Sequence, residues 1–330
     1  MTQSEFLQDL EAFLQEWQND KPTVWVYTSG STGTPKPMQV EKERMMASAR
    51  LTCSFLGLKE GDSALLCMPL QYIAGKMVVV RSLVAGLNLI PVAPSGHPLK
   101  EMKEAPTFAA MIPMQVYNSL QVPEEQALLR EIKQLIIGGG AIDDQLANEL
   151  KDFPNAVWST YGMTETLSHI ALRRLNGKDA SDWYTPFYNV SIRLSEEGTL
   201  IINAPNVCAD ELITNDIVEI NKEEKFRILG RKDNTINSGG VKIQIEQVEA
   251  TLKEHLDIPF QITARKDAKF GEIVVLIYNK VKDEALVRQV CEEALPTYWV
   301  PKAYIALDEL PLTGTGKPDR ATARRIANRE

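Results

Sequence analysis

Thr23-Val24-Trp25-Val26-Tyr27 runs without a break into Thr28-Ser29-Gly30-Ser31-Thr32-Gly33-Thr34-Pro35-Lys36. The first five residues are β-branched or aromatic, which predicts a buried strand. The nine after them combine hydroxyls, two glycines and one lysine. Unencumbered backbone amides and hydroxyls suit a polyphosphate, and the lysine adds a point charge. This is not a Walker A loop, because Pro35 stands where that pattern needs its second glycine. A flexible Gly/Ser linker is the plainer alternative, but a linker seldom has a strand before it and a Pro-Lys at its end.

Outward from this loop, apolar runs alternate with helical patterns. An acidic amphipathic helix precedes it, with Phe6, Leu7, Leu10, Phe13, Leu14 and Trp17 at helical spacing. A helix is expected from about Glu41 to Leu56, and strands at Ala64 to Met68, Leu87 to Val92, Phe108 to Met111 and Gln134 to Ile137. Gly or Pro bounds each strand. The alternation predicts an α/β chain with a parallel or mixed sheet covered by helices. From about Val190 short strands are expected instead: Ser191 to Leu194, Gly198 to Ile202, Ile217 to Ile220 and Lys225 to Leu229. A last segment, with a helix from Ile245 to Leu256, a strand from Glu272 to Tyr278 and a helix from Glu284, predicts a small α+β domain. The expected domains are 1–232 and 233–330.

The 330 residues carry a formal net charge of −8, which argues against general affinity for nucleic acid or an anionic membrane. Any phosphate site must be a local device. Cys53, Cys67, Cys208 and Cys291 form no metal-like pair and read as free thiols of a reducing compartment. With three histidines, a His-rich metal site is not expected, and His97 and His255 read as ordinary buried or surface residues. No basic leader precedes the first helix, and the most apolar stretch, Met77 to Ala93, is broken by Arg81 and Asn88. The expectation is a cytoplasmic protein.

Three further segments carry candidate chemistry. Gly138-Gly139-Gly140 follows Leu135-Ile136-Ile137; glycines at a strand end let a flat ring or a phosphate approach the backbone, and a simple turn fits as well. Tyr161-Gly162-Met163-Thr164-Glu165-Thr166 groups a carboxylate with hydroxyls, as a cation on a nucleotide requires; a helix start with Thr164 and Glu165 at cap positions also fits. Pro311-Leu312-Thr313-Gly314-Thr315-Gly316-Lys317 puts a lysine at the tip of a Gly/Thr loop, where a surface lysine in a tail is the plain alternative.

In this order, these pieces resemble the adenylate-forming superfamily of acyl-CoA synthetases, luciferases and nonribosomal adenylation domains, from Tyr27 to Arg320. The resemblance implies a large mixed-sheet domain and a small mobile one. It implies a phosphate loop using Thr28, Ser29, Ser31, Thr32 and Lys36, and an adenine segment of Gly139, Gly140 and Ala141 with Tyr161. The resemblance further implies that Thr164 contacts phosphate and Glu165 holds Mg²⁺. It implies that Asp216, in Thr214-Asn215-Asp216, binds the ribose hydroxyls and that Arg231, in Gly230-Arg231-Lys232-Asp233-Asn234, binds the nucleotide. By the same resemblance Asp233 would be the hinge and Lys317 the catalytic lysine. Gly239, Gly240 and Lys242 would line a coenzyme A channel, with ATP and coenzyme A as co-substrates.

This chain departs from the family pattern at Pro37 and Asn215, each in place of a glycine, and at Gln71-Tyr72, in place of an aromatic-His pair. The phosphate loop also begins at residue 27, where relatives carry a subdomain first. Met1 and a coherent first helix favour a naturally trimmed member, whose uncovered surface predicts a homodimer. Within the family, Pro69 to Lys76 and Tyr161 to Arg173 look most like short bacterial o-succinylbenzoate–CoA ligases of menaquinone biosynthesis. A substrate with two carboxylates needs a second cation; Lys76 is the first expectation, with Arg81 and His169 near it in the family layout. Arg81 pairing with a surface carboxylate is an equal alternative. Another aryl- or acyl-CoA ligase, a carrier-loading adenylation enzyme and a non-catalytic nucleotide-binding protein are the other functions considered.

Overall fold

The computed structural model describes residues 1–27, 37–140, 142, 144–312 and 318–329. Backbone contacts divide the chain into two units, one of Met1–Arg193, Ile201–Leu212 and Ile220–Arg227, the other of Leu194–Leu200, Ile213–Glu219 and Ile228–Glu330.

In the first unit, among the described residues, seven strands make one mixed sheet. Their spatial order is Asn88–Pro91, Ser63–Leu66, Phe108–Met111, Gln134–Ile137, Ala156–Gly162, His169–Arg174 and Thr185–Pro186. The first five are parallel and the last two join antiparallel. The parallel strands read as unbroken apolar runs because both faces are covered, as Phe108–Met111 is along its whole length. Leu65, Met111, Leu135 and Ile137 from the strands pack with Leu146, Leu150 and Phe153 in one core cluster. Helix Ile73–Ala85 followed by strand Asn88–Pro91 accounts for the most apolar stretch of the sequence. Gly86, at φ 67°, caps that helix in the left-handed conformation. No helix among the described residues is long and apolar enough to cross a membrane.

The opening strand differs from its sequence reading. Thr23–Tyr27 does not join the large sheet; it pairs antiparallel with Pro37–Glu41 as a two-stranded ribbon. One face of that ribbon is buried, at Val24 and Val26, while Trp25 and Tyr27 are 50% and 43% exposed. Composition alone does not separate a half-buried ribbon from a fully buried strand, since aromatic residues suit either.

The second unit holds a five-stranded sheet in which Val241–Gln244, Thr235–Ser238, Gly271–Asn279 and Phe260–Asp267 lie in that order, with Ala303–Leu307 parallel to Gly271–Asn279. Residues alternate along Gly271–Asn279: Val274, Leu276 and Tyr278 enter one apolar cluster, and Ile273, Val275 and Ile277 enter another. Helices Ile245–Lys253 and Glu284–Ala294 supply Val248, Leu252, Val287 and Cys291 to the first, and Arg320–Ala327 supplies Ala323 and Ala327 to the second. The strands Ser191–Leu194, Thr199–Asn203, Leu212–Ile220 and Phe226–Arg231 form a further four-stranded sheet in that order.

Candidate active site

The ribbon fixes where the opening loop begins and ends. Tyr27 and Pro37 are register partners, so residues 28–36 leave and return at one rung of the ladder. Tyr27 N donates to Gln71 O at 3.3 Å, which ties the rung to the segment before helix Ile73–Ala85. Thr28, Ser29, Ser31, Thr32 and Lys36 themselves lie outside the described residues. Lys317 and Ala141 do too. The loop bearing Lys317 also has a paired base: Leu312 bridges Pro318, and Asp319 N donates to Pro311 O at 2.9 Å.

Gln134–Ile137 and Ala156–Gly162 are neighbouring parallel strands, Ile137 lying opposite Ser159, and the carboxyl ends of such strands are where open α/β sheets form ligand crevices. Gly138 follows the first, its N donating to Met111 O at 3.0 Å, and a Cβ there would collide with Thr160 Oγ1. Gly139, at φ 76°, takes the turn beyond it, and Gly140 is half-buried. The second strand runs past Trp158 through Tyr161, whose ring packs edge-on against Phe226, centroids 4.9 Å apart, within a cluster shared with Tyr184. A register shift at Tyr161/Gly162 turns the chain, and a Cβ on Gly162 would overlap Ser168 O and His169 Cα.

Residues after Gly162 form a turn, not the helix start that the cap residues also fitted. Leu167 N donates to Thr164 O at 2.9 Å, and Leu167 takes a positive φ of 63°. Thr166, fully buried, does the local bonding: its Oγ1 accepts from Met163 N at 3.0 Å and donates to Ser168 O at 2.7 Å. Thr164 stays half-buried and Glu165 exposed. A hard divalent cation such as Mg²⁺ takes one or two protein carboxylates and fills its shell with water and phosphate oxygens, and an exposed Glu165 just past a strand end fits that donor set.

Below this turn lies a buried polar chain. Arg81 is 2% exposed, and its Nη2 donates to Ser168 Oγ at 2.6 Å. Ser168 Oγ is 3.2 Å from His169 Nδ1, His169 Nε2 is 3.0 Å from Thr52 Oγ1, and Thr52 Oγ1 donates to Ser48 O at 3.2 Å. One proton assignment satisfies every link: Ser168 donates to Nδ1, and His169, neutral, donates from Nε2 to Thr52. Burial and the neighbouring Arg81 charge hold the His169 pKa well below its ordinary value, consistent with a neutral ring. Arg81 Nε has no partner, and no carboxylate among the described residues pairs with this guanidinium. Burial draws its pKa down to about 10, still charged at neutral pH. The surface carboxylate considered for Arg81 is therefore absent among the described residues.

Lys76 is placed differently from its sequence reading. Its ammonium is buried, 3.1 Å from Glu16 Oε2, donates to Trp25 O at 2.7 Å and lies 4.6 Å from the Phe13 ring centroid. Glu16 also accepts from Trp25 N at 3.0 Å. Lys76 thus joins the first helix to the ribbon, and its charge is already neutralised. Its position on the helix suggests a pocket cation, because Glu16, 60 residues away, leaves no local sign. Ser168 and Thr52 are illegible in the sequence for the same reason: nothing local marks a hydroxyl as half of a long-range pair.

In the second unit Asp216, Arg231 and Asp233 form one ion cluster. Arg231 Nη1 is 3.1 Å from Asp216 Oδ1, and Nη2 is 3.1 Å from Asp233 Oδ2. Asn215 Nδ2 donates to the same Asp233 oxygen at 3.1 Å. Asp233 sits in a short 3-10 turn, Lys232–Asn234. Gly239 and Gly240, at φ 58° and 86°, make the two-residue turn joining Thr235–Ser238 to Val241–Gln244, both needing the left-handed region that glycine enters freely. Lys242 is exposed just beyond it.

The AMP-binding enzyme family matches residues 3–207 of this chain. A solved acyl-CoA synthetase (AMP-forming)/AMP-acid ligase II-like protein from Dyadobacter fermentans is 32% identical, with a TM-score of 0.67, covering 96% of this chain and 93% of its own. The 2-succinylbenzoate–CoA ligase of Listeria monocytogenes is 26% identical over 338 residues, 94% of this chain and 71% of that protein. The o-succinylbenzoate coenzyme A synthetase of Bacillus subtilis, solved with ATP and magnesium ion, shares the fold at a TM-score of 0.73 and 23% identity, over 90% of this chain and 68% of its own. With both loop bases paired and the family model matched over residues 3–207, more than half of its length, this chain belongs to the AMP-binding enzymes.

Proposed function

We propose that this chain is an ATP-dependent acid–CoA ligase that forms an acyl-adenylate and then a thioester, with o-succinylbenzoate as its acid. The observation that carries the substrate is Arg81, a buried guanidinium that, among the described residues, has an unpartnered Nε and no carboxylate beside it. A buried charge of this kind is costly until an anion arrives, and an acid with a second carboxylate supplies one. Ser168 holds the guanidinium directly, and His169 and Thr52 continue that hydrogen-bonded chain.

In the first half-reaction a carboxylate oxygen of the acid bonds to the α-phosphorus of ATP, the α–β phosphoanhydride bond breaks, and pyrophosphate leaves. Thr28, Ser29, Ser31, Thr32 and Lys36 cradle the departing phosphates, and Lys317 bridges the acid and the α-phosphate. Charge stabilisation and alignment carry this step. Glu165 would hold Mg²⁺, which when bound would offset phosphate charge, and Thr164 donates to phosphate. Gly139, Gly140, Ala141 and Tyr161 bound the adenine, Asp216 holds the ribose hydroxyls, and Arg231 binds the nucleotide. The segment 233–330 then turns on Asp233 against 1–232 and brings Gly239, Gly240 and Lys242 to the site. The coenzyme A sulfur bonds to the acyl carbon, the bond to AMP breaks, and its thiol proton passes to solvent. One pocket thereby serves two reactions. The protein works in the cytoplasm, as a homodimer; sedimentation at a single monomer mass would exclude the dimer.

Pyrophosphate release measured over a panel of acids, with and without coenzyme A, tests the reading. Release with o-succinylbenzoate and conversion to its thioester is expected, and Lys317→Ala should slow release by about 10²–10³-fold. Release without thioester would indicate a carrier-loading enzyme, and no release with any acid would indicate a nucleotide-binding protein.

A further inference from the structure

We propose that Asn215 is a positioning residue for the pivot, holding the Asp233 carboxylate whenever Arg231 turns to a nucleotide. The inference rests on the ribose and hinge roles proposed above for Asp216, Arg231 and Asp233. Asn215 and Asp216 are neighbours on the strand Leu212–Ile220, where successive side chains face opposite sides; Asn215 is exposed and Asp216 buried. Asn215 therefore does not share what Asp216 binds. Its amide instead donates to Asp233 Oδ2, 3.1 Å away. Arg231 Nη2 contacts that same oxygen, also at 3.1 Å, while Nη1 contacts Asp216.

Arg231 thus divides one guanidinium between the ribose carboxylate and the pivot carboxylate. A ribose on Asp216 and a phosphate nearby both compete for it, and without a second donor the pivot would lose its partner at that moment. Asn215 supplies that donor without adding charge. A glycine at this position has no side chain to offer, so the departure from the family pattern at Asn215 acquires a physical role. The turn Lys232–Asn234, closed by Thr235 N donating to Lys232 O, keeps its geometry as Arg231 changes partner.

Amide hydrogen exchange at residues 232–235 of the whole chain tests this, with AMP as the probe. In the parent, saturating AMP should leave exchange there within about twofold. In Asn215→Ala, AMP should raise it about threefold or more, the scale of one exposed charge-assisted contact. Asn215→Leu, which keeps the size and removes the donor without adding charge, should behave as Asn215→Ala does. A purely structural role would raise exchange equally with and without AMP, and that result overturns the proposal. Identical exchange in parent and variants overturns it as well. Should calorimetry show no AMP binding, the nucleotide reading fails and a cycle still decides the tether: Asn215→Ala should raise exchange by at least threefold more in an Arg231→Ala background than alone. Additive effects there would sink it.

Discussion

Arg81 Nη2 donates to Ser168 Oγ at 2.6 Å, inside the first unit and away from any carboxylate among the described residues. An unpaired buried charge burdens stability and serves recognition. Arg81→Met should therefore raise KM for the dicarboxylate acid by about 30- to 150-fold while ATP KM changes little, since a lost charge-assisted contact is worth about 2–3 kcal/mol. The same variant should be as resistant to urea as the parent, or more so, because replacing a buried charge by an apolar chain of similar length is commonly neutral or stabilising. Steady-state kinetics beside urea titrations check both halves.

Lys76 should behave in the opposite way. Lys76→Ala leaves Glu16 and Trp25 O without their shared partner and exposes the Phe13 ring. Glu16 is partly exposed, so the loss is discounted to about 2 kcal/mol of stability. Acid KM should stay within about twofold. A large rise in acid KM with unchanged stability would restore Lys76 to the acyl site.

The buried His169 predicts a pH dependence. Its folded pKa lies well below the unfolded value of 6.5, so below pH 6.5 the unfolded chain binds the additional proton. Stability then falls as pH falls, by at most about 1.4 kcal/mol per pH unit from this group. Between pH 6.5 and 5, above the main carboxylate range, the parent Tm should drop more steeply than that of His169→Gln. Parallel Tm curves would refute a neutral buried ring.

Gly162 marks a steric limit. A Cβ there overlaps backbone atoms of Ser168 and His169, which no rotamer change relieves. Gly162→Ala should cost about 3 kcal/mol or more and displace the turn carrying Thr164 and Glu165. Urea unfolding reads the first effect, and loss of pyrophosphate release in the remaining folded protein reads the second.

By itself, the sequence determined the alternation of strand and helix in the large sheet, because apolar runs bounded by Gly and Pro are local signals. Phe108–Met111 and Gln134–Ile137 begin and end where the sequence places them, and helix Lys42–Leu56 starts within one residue of its expected start. The motif order from Tyr27 to Arg320 carried the family for the same reason: each motif is a short run whose chemistry is complete within itself. Tertiary structure alone decided the partners. Thr23–Tyr27 joined a ribbon and not the main sheet, Lys76 met Glu16, Arg81 met Ser168, and Asn215 met Asp233. The physical reason is common to all four. A residue's type records what it can bond, whereas burial and long-range packing settle what it does bond, and whether a cation is spent on the fold or left waiting for a ligand.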